Sequence, residues 1–230
     1  MPEPEPVDAT TSPRRRHASG EATRVLLLEA AERLFAIRGI DAVTLREIQI
    51  AAGQSNSSVI TYHFGSKAGL VRALVAHRQA VLDAELHRGA QQLERGVAER
   101  PDGIATAREL VGLVVGPLVS SIRRGEMYVP FLARLSEDPL ARSEYWPPDI
   151  DDRRYSEETE QLVGVLLGGL PERARRARNH QFFTSMLHVL GDHARNGTGL
   201  GPARVSSYVD GWAALLVAKV SPETAALLES

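Results

Sequence analysis

Apolar positions near the start of the chain recur at helical spacing. Between about Ala22 and Arg38, the residues Leu27, Ala30, Ala31, Leu34 and Phe35 follow i, i+3, i+4, i+7, i+8, which leaves Glu29, Glu32 and Arg33 for other faces. A first helix with one buried stripe is predicted, and Gly39 supplies the left-handed position that ends it. Thr44-Leu45-Arg46-Glu47 then has the form of a capping box: the Thr44 hydroxyl accepts from the Glu47 N–H while the Glu47 carboxylate accepts from the Thr44 N–H. The helix it opens is short, because Ile48, Ala51 and Ala52 complete its buried face before Gly53. Gln54-Ser55-Asn56-Ser57-Ser58 is a polar turn full of capping residues, and Val59 to Phe64 forms a third short helix. Gly65 stops that helix, and Ser66 can cap a fourth through Leu70, Val71, Leu74 and Val75. Two short helices joined by a tight glycine-containing turn and braced by a longer one describe a helix-turn-helix unit.

Residues 80–230 show no strand-like alternation of useful length. Helices are predicted near 77–98, 105–123, 127–136, 155–169, 172–195, 204–219 and 222–229. Breaks fall at Pro101-Asp102-Gly103, Gly125, Pro147-Pro148, Gly169 to Pro171, and Asn196 to Pro202. The fold class expected is all-α, with an arm over 1–20, a helix-turn-helix domain over 21–66 and a helical domain over 67–230. Residues 1–20 are rich in Pro, Ser, Thr and charge, cannot offset the entropy of ordering, and are read as disordered. Their cluster Arg14-Arg15-Arg16-His17 is either a solvated tail or an arm that follows DNA phosphates or the minor groove.

Composition narrows the chemistry. The chain has 230 residues, 43% of them hydrophobic, so it can bury a real core, and it has no cysteine, which excludes disulfides, thiolate metal sites and a cysteine nucleophile. No apolar run approaches a membrane span, and Met1 to Gly20 does not read as a secretory signal, so a cytoplasmic, nucleoid-associated protein is expected. The net charge of −2 argues against a nonspecific basic nucleic-acid coat. Residues 1–80 hold ten Lys/Arg and eight Asp/Glu (+2) and the rest seventeen and twenty-one (−4), an asymmetry in the right direction for a DNA-binding N-terminal part but small.

The stretch Leu34 to Leu70 resembles the TetR family of bacterial regulators. The resemblance rests on Leu34-Phe35-Ala36, Gly39, Thr44-Leu45-Arg46-Glu47-Ile48, Ala51-Ala52-Gly53 and His63-Phe64-Gly65-Ser66-Lys67. It covers about forty residues; the remainder is similar to the family only in length and helical texture. Between Ala52-Gly53 and His63-Phe64 this chain has one residue more than the usual pattern, and Tyr62 stands two before Phe64 where the family has a tyrosine three before it; that position here is Thr61. The segment is similar to a branch with a longer turn and a Tyr-His-Phe ending. The resemblance implies a transcriptional regulator, most simply a repressor that binds a palindromic operator as a homodimer and is released by a small hydrophobic effector. A regulator without a small-molecule effector is the alternative, and an all-helical enzyme or carrier a distant third. No cofactor is expected.

A recognition helix turns polar side chains near its N-terminus to base edges while its other face packs on the scaffold. Ile60 and Phe64, four apart, suit the buried face, which leaves Ser55, Asn56, Ser57, Ser58, Thr61 and Tyr62 for DNA. Asn56 either reads adenine through its amide or caps the helix. The helix contains no arginine, so reading by hydroxyl, methyl and shape terms is expected rather than bidentate guanine contacts. Thr44 suits a phosphate at a positive helix end, or capping alone; Tyr62 and Lys67 suit phosphates. For His63 the resemblance implies a phosphate contact, and the alternative is a packed, hydrogen-bonded histidine.

In the C-terminal part, aromatic and methionine residues gather. The resemblance places an effector cavity there, with Tyr128, Phe131, Trp146, Phe183 and Met186 as candidate ligand-binding residues, although plain core suits each of them too. It also makes 172–195 and 204–219 the expected dimer helices, and the helix after Ser66 the lever between head and effector domain. His180, His188, Asp192 and His193 share a helical face, but a polar stripe suits them better than a metal site, so no metal is expected. Gly197-Thr198-Gly199-Leu200-Gly201 lacks the preceding strand and Gly-Lys-Ser/Thr ending of a phosphate loop and reads as a connection. No nucleophile–base–carboxylate set has a recognisable motif, and no catalytic residue is assigned.

Overall fold

The computed structural model of the chain describes residues 13–97, 103–145, 167 and 169–229. Four helices form the N-terminal part: α1 (Pro13–Arg38), α2 (Leu45–Ala51), α3 (Val59–Phe64) and α4 (Lys67–Val97). They are followed by α5 (Gly103–Arg123), α6 (Tyr128–Glu137), α7 (Pro139–Tyr145), α8 (Glu172–Arg195), α9 (Pro202–Val217) and α10 (Pro222–Glu229). The described residues contain no strand.

The head is built by the predicted stripe. Leu27, Ala31 and Phe35 are fully buried, and so are Leu28 and Ala36 beside them, while Ile48 from α2, Val59 and Ile60 from α3, and Leu70, Val71, Leu74 and Val75 from α4 close the same core. Gly39 takes a φ of +85° at the end of α1, the left-handed conformation that a side chain would strain. A different constraint fixes Gly69 in the first turn of α4: a Cβ there would lie 2.0 Å from the Phe64 carbonyl oxygen. The α3–α4 corner therefore closes only over a residue without a side chain.

Three expectations change. The first helix begins at Pro13, so residues 13–20 continue it instead of lying in a disordered arm, whose first twelve residues fall outside the described ones. Proline is well suited to a first helical turn, and no breaker separates it from the apolar stripe beyond Gly20. The helix capped by Ser66 and the one expected near 77–98 are one uninterrupted helix of 31 residues, α4, since nothing between Leu74 and His77 can stop it. Glu32, assigned above to an outer face, is only 3% exposed, because α6 covers that side of α1. The extra short helix α7 follows a break at Asp138, whose carboxylate accepts from the Leu140 and Ala141 N–H groups and caps it. The helix expected near 155–169 and the Pro147-Pro148 loop lie almost entirely outside the described residues.

Helix α6 occupies the centre: of its ten residues, Tyr128 through Ala133 and Leu135 are all buried. It packs on α1 of the head on one side and on α8 on another, while α5 joins α4 to α9. At the α6–α8 crossing, a Cβ on Gly191 would stand 3.1 Å from that of Ala133, so the helices approach closely. Pairs across these contacts account for two of the histidines singled out above. His188 Nε2 lies 2.8 Å from Glu137, and His193 Nε2 lies 2.8 Å from the Tyr208 hydroxyl on α9. Among the described residues no three His, Asp or Glu are placed to hold a metal ion, and no helix is long and apolar enough to cross a membrane.

Candidate nucleic-acid interface

Helix α3 divides its surfaces as the residue pattern requires. Val59 and Ile60 are buried and Phe64 is half-buried, whereas Ser55, Asn56, Ser57, Ser58, Thr61 and Tyr62 are exposed, Tyr62 at 83%. An exposed phenol ring on a six-residue helix gains nothing from the core, and exposed polar residues surround it. His63 is half-buried and stands edge-on to the Tyr62 ring, with centroids 5.0 Å apart. The Arg24 guanidinium of α1 lies 5.7 Å over the Phe64 ring, which brings a cation to the far end of the same helix.

The turn before α3 resolves the two readings of Asn56 in part. Its Oδ1 accepts from the Ser58 N–H at 3.0 Å and from the Ser58 hydroxyl at 3.2 Å, so both acceptor directions of that oxygen are occupied. A bidentate adenine contact needs that oxygen, so in this conformation only the Asn56 NH₂ group is available to a base edge. The Asn56 oxygen thus braces the turn at Ser58, and the Ser57 and Thr61 hydroxyls and the Tyr62 phenol carry most of the exposed hydrogen-bonding capacity.

Thr44 forms the full capping box. Its N–H donates to Glu47 Oε2 at 2.7 Å, and the Glu47 N–H donates to Thr44 Oγ1 at 3.3 Å. Arg38 clamps the other Glu47 oxygen at 2.7 Å while donating to the Ala42 carbonyl at 2.7 Å, so the end of α1 fixes the start of α2. The Thr44 N–H, then Arg38, then the Thr44 hydroxyl hold the Glu47 carboxyl down at a pKa of about 2. Lys67, in the first turn of α4, reaches the Asp41 carbonyl at 3.5 Å, a long contact that leaves its charge beside Thr44's loop. Thr44 thus stands at the start of α2 and Lys67 at the start of α4.

Behind this surface lies a polar junction that sequence reasoning missed. Arg78 of α4 donates to both oxygens of Glu32, at 2.6 and 3.1 Å, and Glu32 Oε1 also accepts from the Met127 N–H at 2.8 Å. Arg78 lies 3.5 Å from Glu126, which in turn accepts from Ser121 at 2.6 Å and from Arg124 at 2.9 Å. Burial alone would lower the Arg78 pKa, but the Glu32 hydrogen bonds and the charges of Glu32 and Glu126 raise it. Arg134 of α6 adds a second tie, donating to the Ala36 and Ile37 carbonyls at the end of α1 at 2.8 and 2.9 Å. The signal was present in the sequence: Glu32 stands four residues after Leu28 and three before Phe35, inside an apolar stripe.

Of the five residues expected to line an effector site, four are described, and all lie in or against one hydrophobic core. Tyr128 and Phe131 are buried at the junction with the head, their rings 6.2 Å apart and Phe131 6.2 Å from Phe35 of α1. Met186 is buried and Phe183 half-buried on α8, where Phe183 stacks edge-on to Phe182 at 4.9 Å and Phe182 meets Trp212 of α9 at 6.2 Å. Trp146 lies outside the described residues.

Comparison with known proteins agrees with this geometry. Residues 27–74 match the family described as bacterial regulatory proteins, tetR family. The HTH-type transcriptional regulator TtgR of Pseudomonas putida is 34% identical over 112 residues, 48% of this chain and 49% of that protein. The HTH-type transcriptional repressor AcnR of Corynebacterium glutamicum is 35% identical over 82 residues, 35% of this chain and 43% of that protein. The chain thus spans about half the length, or less, of these curated relatives. A crystal structure from Shewanella sp. PV-4, described as a tetR family transcription regulator, superposes with a TM-score of 0.53 at 17% identity, covering 83% of this chain and 95% of the other, which shows a common fold. Over residues 27–74, which carry the helix-turn-helix unit, the chain is similar to the tetR family of bacterial regulatory proteins.

Proposed function

We propose that the chain is a transcriptional repressor that binds a palindromic operator as a homodimer and leaves it when a small, mainly apolar effector enters the C-terminal domain. The observation that carries the reading is the exposed polar face of α3, with Tyr62 83% exposed while Val59 and Ile60 anchor the opposite side. Residues 21–66 act as the DNA-binding head and 67–230 as the effector and dimerisation domain, with α8 and α9 as the dimer helices. The name of AcnR, a transcriptional repressor, supports the direction of regulation. Ser55, Asn56, Ser57, Ser58 and Thr61 face base edges, whereas Thr44, Tyr62, His63 and Lys67 face phosphates on either side. Tyr128, Phe131, Phe183 and Met186, with Trp146, supply the apolar surroundings of the effector. A single six-residue reading helix covers few base pairs, so specific affinity requires two half-sites and a symmetric dimer.

The test is selection of bound fragments from a genomic library, followed by titration at several salt concentrations. A palindromic site is expected, together with a light-scattering mass about twice the 25.1 kDa of one chain. Lys67→Ala should weaken all sequences alike and flatten the salt slope by about one unit, while Ser57→Ala or Thr61→Ala should change sequence preference. A monomer that selects no sequence would overturn the reading.

A further inference from the structure

Among the described residues, Tyr128 carries the one buried side-chain oxygen or nitrogen with no hydrogen-bond partner. The residue is 1% exposed and begins α6, between the head and α8. A phenol hydroxyl taken out of water with nothing to bond is a cost to the folded state, and such groups are rare enough to require a reason. Burial pushes its pKa well above the ordinary phenol value, the Glu32 charge adding to that and Arg78 opposing it, so the group is a proton donor at neutral pH. The nearby acceptors are already engaged. Both Glu32 oxygens bond Arg78, one of them also the Met127 N–H, and Glu126 bonds Ser121 and Arg124. Glu32, Glu126 and Asp83 stand against Arg78 and Arg124, which leaves no surplus positive charge, so an anionic guest would enter uncompensated. On its other side Tyr128 meets the Phe131 ring.

We propose that the Tyr128 hydroxyl is the polar anchor of the effector, donating one hydrogen bond to a ketone, ester or ether oxygen on an uncharged and otherwise apolar molecule. This rests on the reading of the chain as an effector-controlled regulator and adds the chemical class of the effector. It also places the anchored oxygen one residue from the Met127 N–H that holds Glu32 of α1, so occupancy is sensed where the core grips the head.

The test compares full-length wild type with Tyr128→Phe, which removes one oxygen and keeps the ring. The probes are matched sets: acetophenone, ethylbenzene and benzoate, then benzophenone, diphenylmethane and diphenylacetate. Wild type should bind each ketone about tenfold more tightly than its hydrocarbon, the worth of one hydrogen bond, and should not bind the carboxylates. Tyr128→Phe should bring the ketone to the affinity of the hydrocarbon, leave the hydrocarbon unchanged, and melt no lower than wild type. A fall in melting temperature of several degrees would assign the hydroxyl to the fold instead. Equal or absent binding of ketone and hydrocarbon to wild type, or a ketone preference that survives in Tyr128→Phe, overturns the proposal. DNA binding, measured separately, tests the underlying reading: ketone binding through Tyr128 with no DNA binding would sink that reading and leave the anchor standing.

Discussion

Removing Glu32 should strand Arg78 at the joint between head and core. Glu32 is 3% exposed and takes two Arg78 hydrogen bonds and one from the Met127 N–H, so Glu32→Leu withdraws three acceptor contacts at once. Breaking a buried ion pair from one side costs about 3–5 kcal/mol. Arg78 keeps Glu126 at 3.5 Å and a 17% exposed side chain, which places Glu32→Leu at the low end, about 3 kcal/mol. Arg78→Met is the harsher change, about 4–5 kcal/mol, because it leaves a carboxylate in the core with a single N–H for company. The double replacement Glu32→Leu, Arg78→Met removes both charges and retains volume. It orphans only the Met127 N–H and should fall within about 1–2 kcal/mol of wild type. The three variants form a cycle whose non-additivity should be at least about 3 kcal/mol. Urea unfolding followed by far-UV circular dichroism reads it, at one fixed protein concentration, since a dimer would make stability concentration-dependent. A double variant as damaged as the sum of the singles would refute the reasoning, as would singles that each cost less than about 1 kcal/mol.

Gly69→Ala should destabilise the head by about 1–3 kcal/mol or more, because its methyl group would meet the Phe64 carbonyl 2.0 Å away and backbone cannot step aside cheaply; an unchanged urea midpoint would show that the α3–α4 corner is looser than described. For Glu47 the sign follows from a pKa depressed from 4.5 to about 2: its stabilisation is present above the unfolded value and lost as pH falls from there toward about 2. Glu47→Gln should therefore be less stable than wild type at pH 7 and lose less on acidification through that window, and parallel melting curves for the two proteins across it would contradict the capping-box geometry.

What was legible in the sequence was whatever repeats at helical period or has fixed local chemistry. Leu27, Ala31 and Phe35 announced α1, Thr44 and Glu47 announced the cap of α2, and Ile60 against Thr61 and Tyr62 announced the two faces of α3. What was not legible depends on pairings over long intervals. Glu32 meets Arg78 across 46 residues and Met127 across 95; its place between Leu28 and Phe35 hints at burial, but nothing local names these partners. The aromatic candidates show the same limit. Composition gathered Tyr128, Phe131, Phe183 and Met186 into one set, but could not say that the first two stand on α6 beside α1 and the other two on α8, all in or against one core. Asn56 lies between these cases: its residue type allowed capping or reading, and only the placement of Ser58 against Oδ1 decided how that oxygen is used.

The unbroken course of α4 constrains how such a chain can change its length over evolutionary time. An insertion in the exposed turn before α3 adds a residue to a loop and disturbs little, which is consistent with the extra residue this sequence carries there. One added residue between Ser66 and Arg78 does something different. It rotates everything before it by about 100° and shifts it by about 1.5 Å relative to the core. Arg78 would then point away from Glu32, and Arg134 could no longer find the Ala36 and Ile37 carbonyls, since the head is held both through α4 and through α1. The first three turns of α4 therefore behave as a phase-locked shaft. Related sequences can drift in loop length, but those that keep both attachments must inherit the twelve-residue step from Ser66 to Arg78 intact.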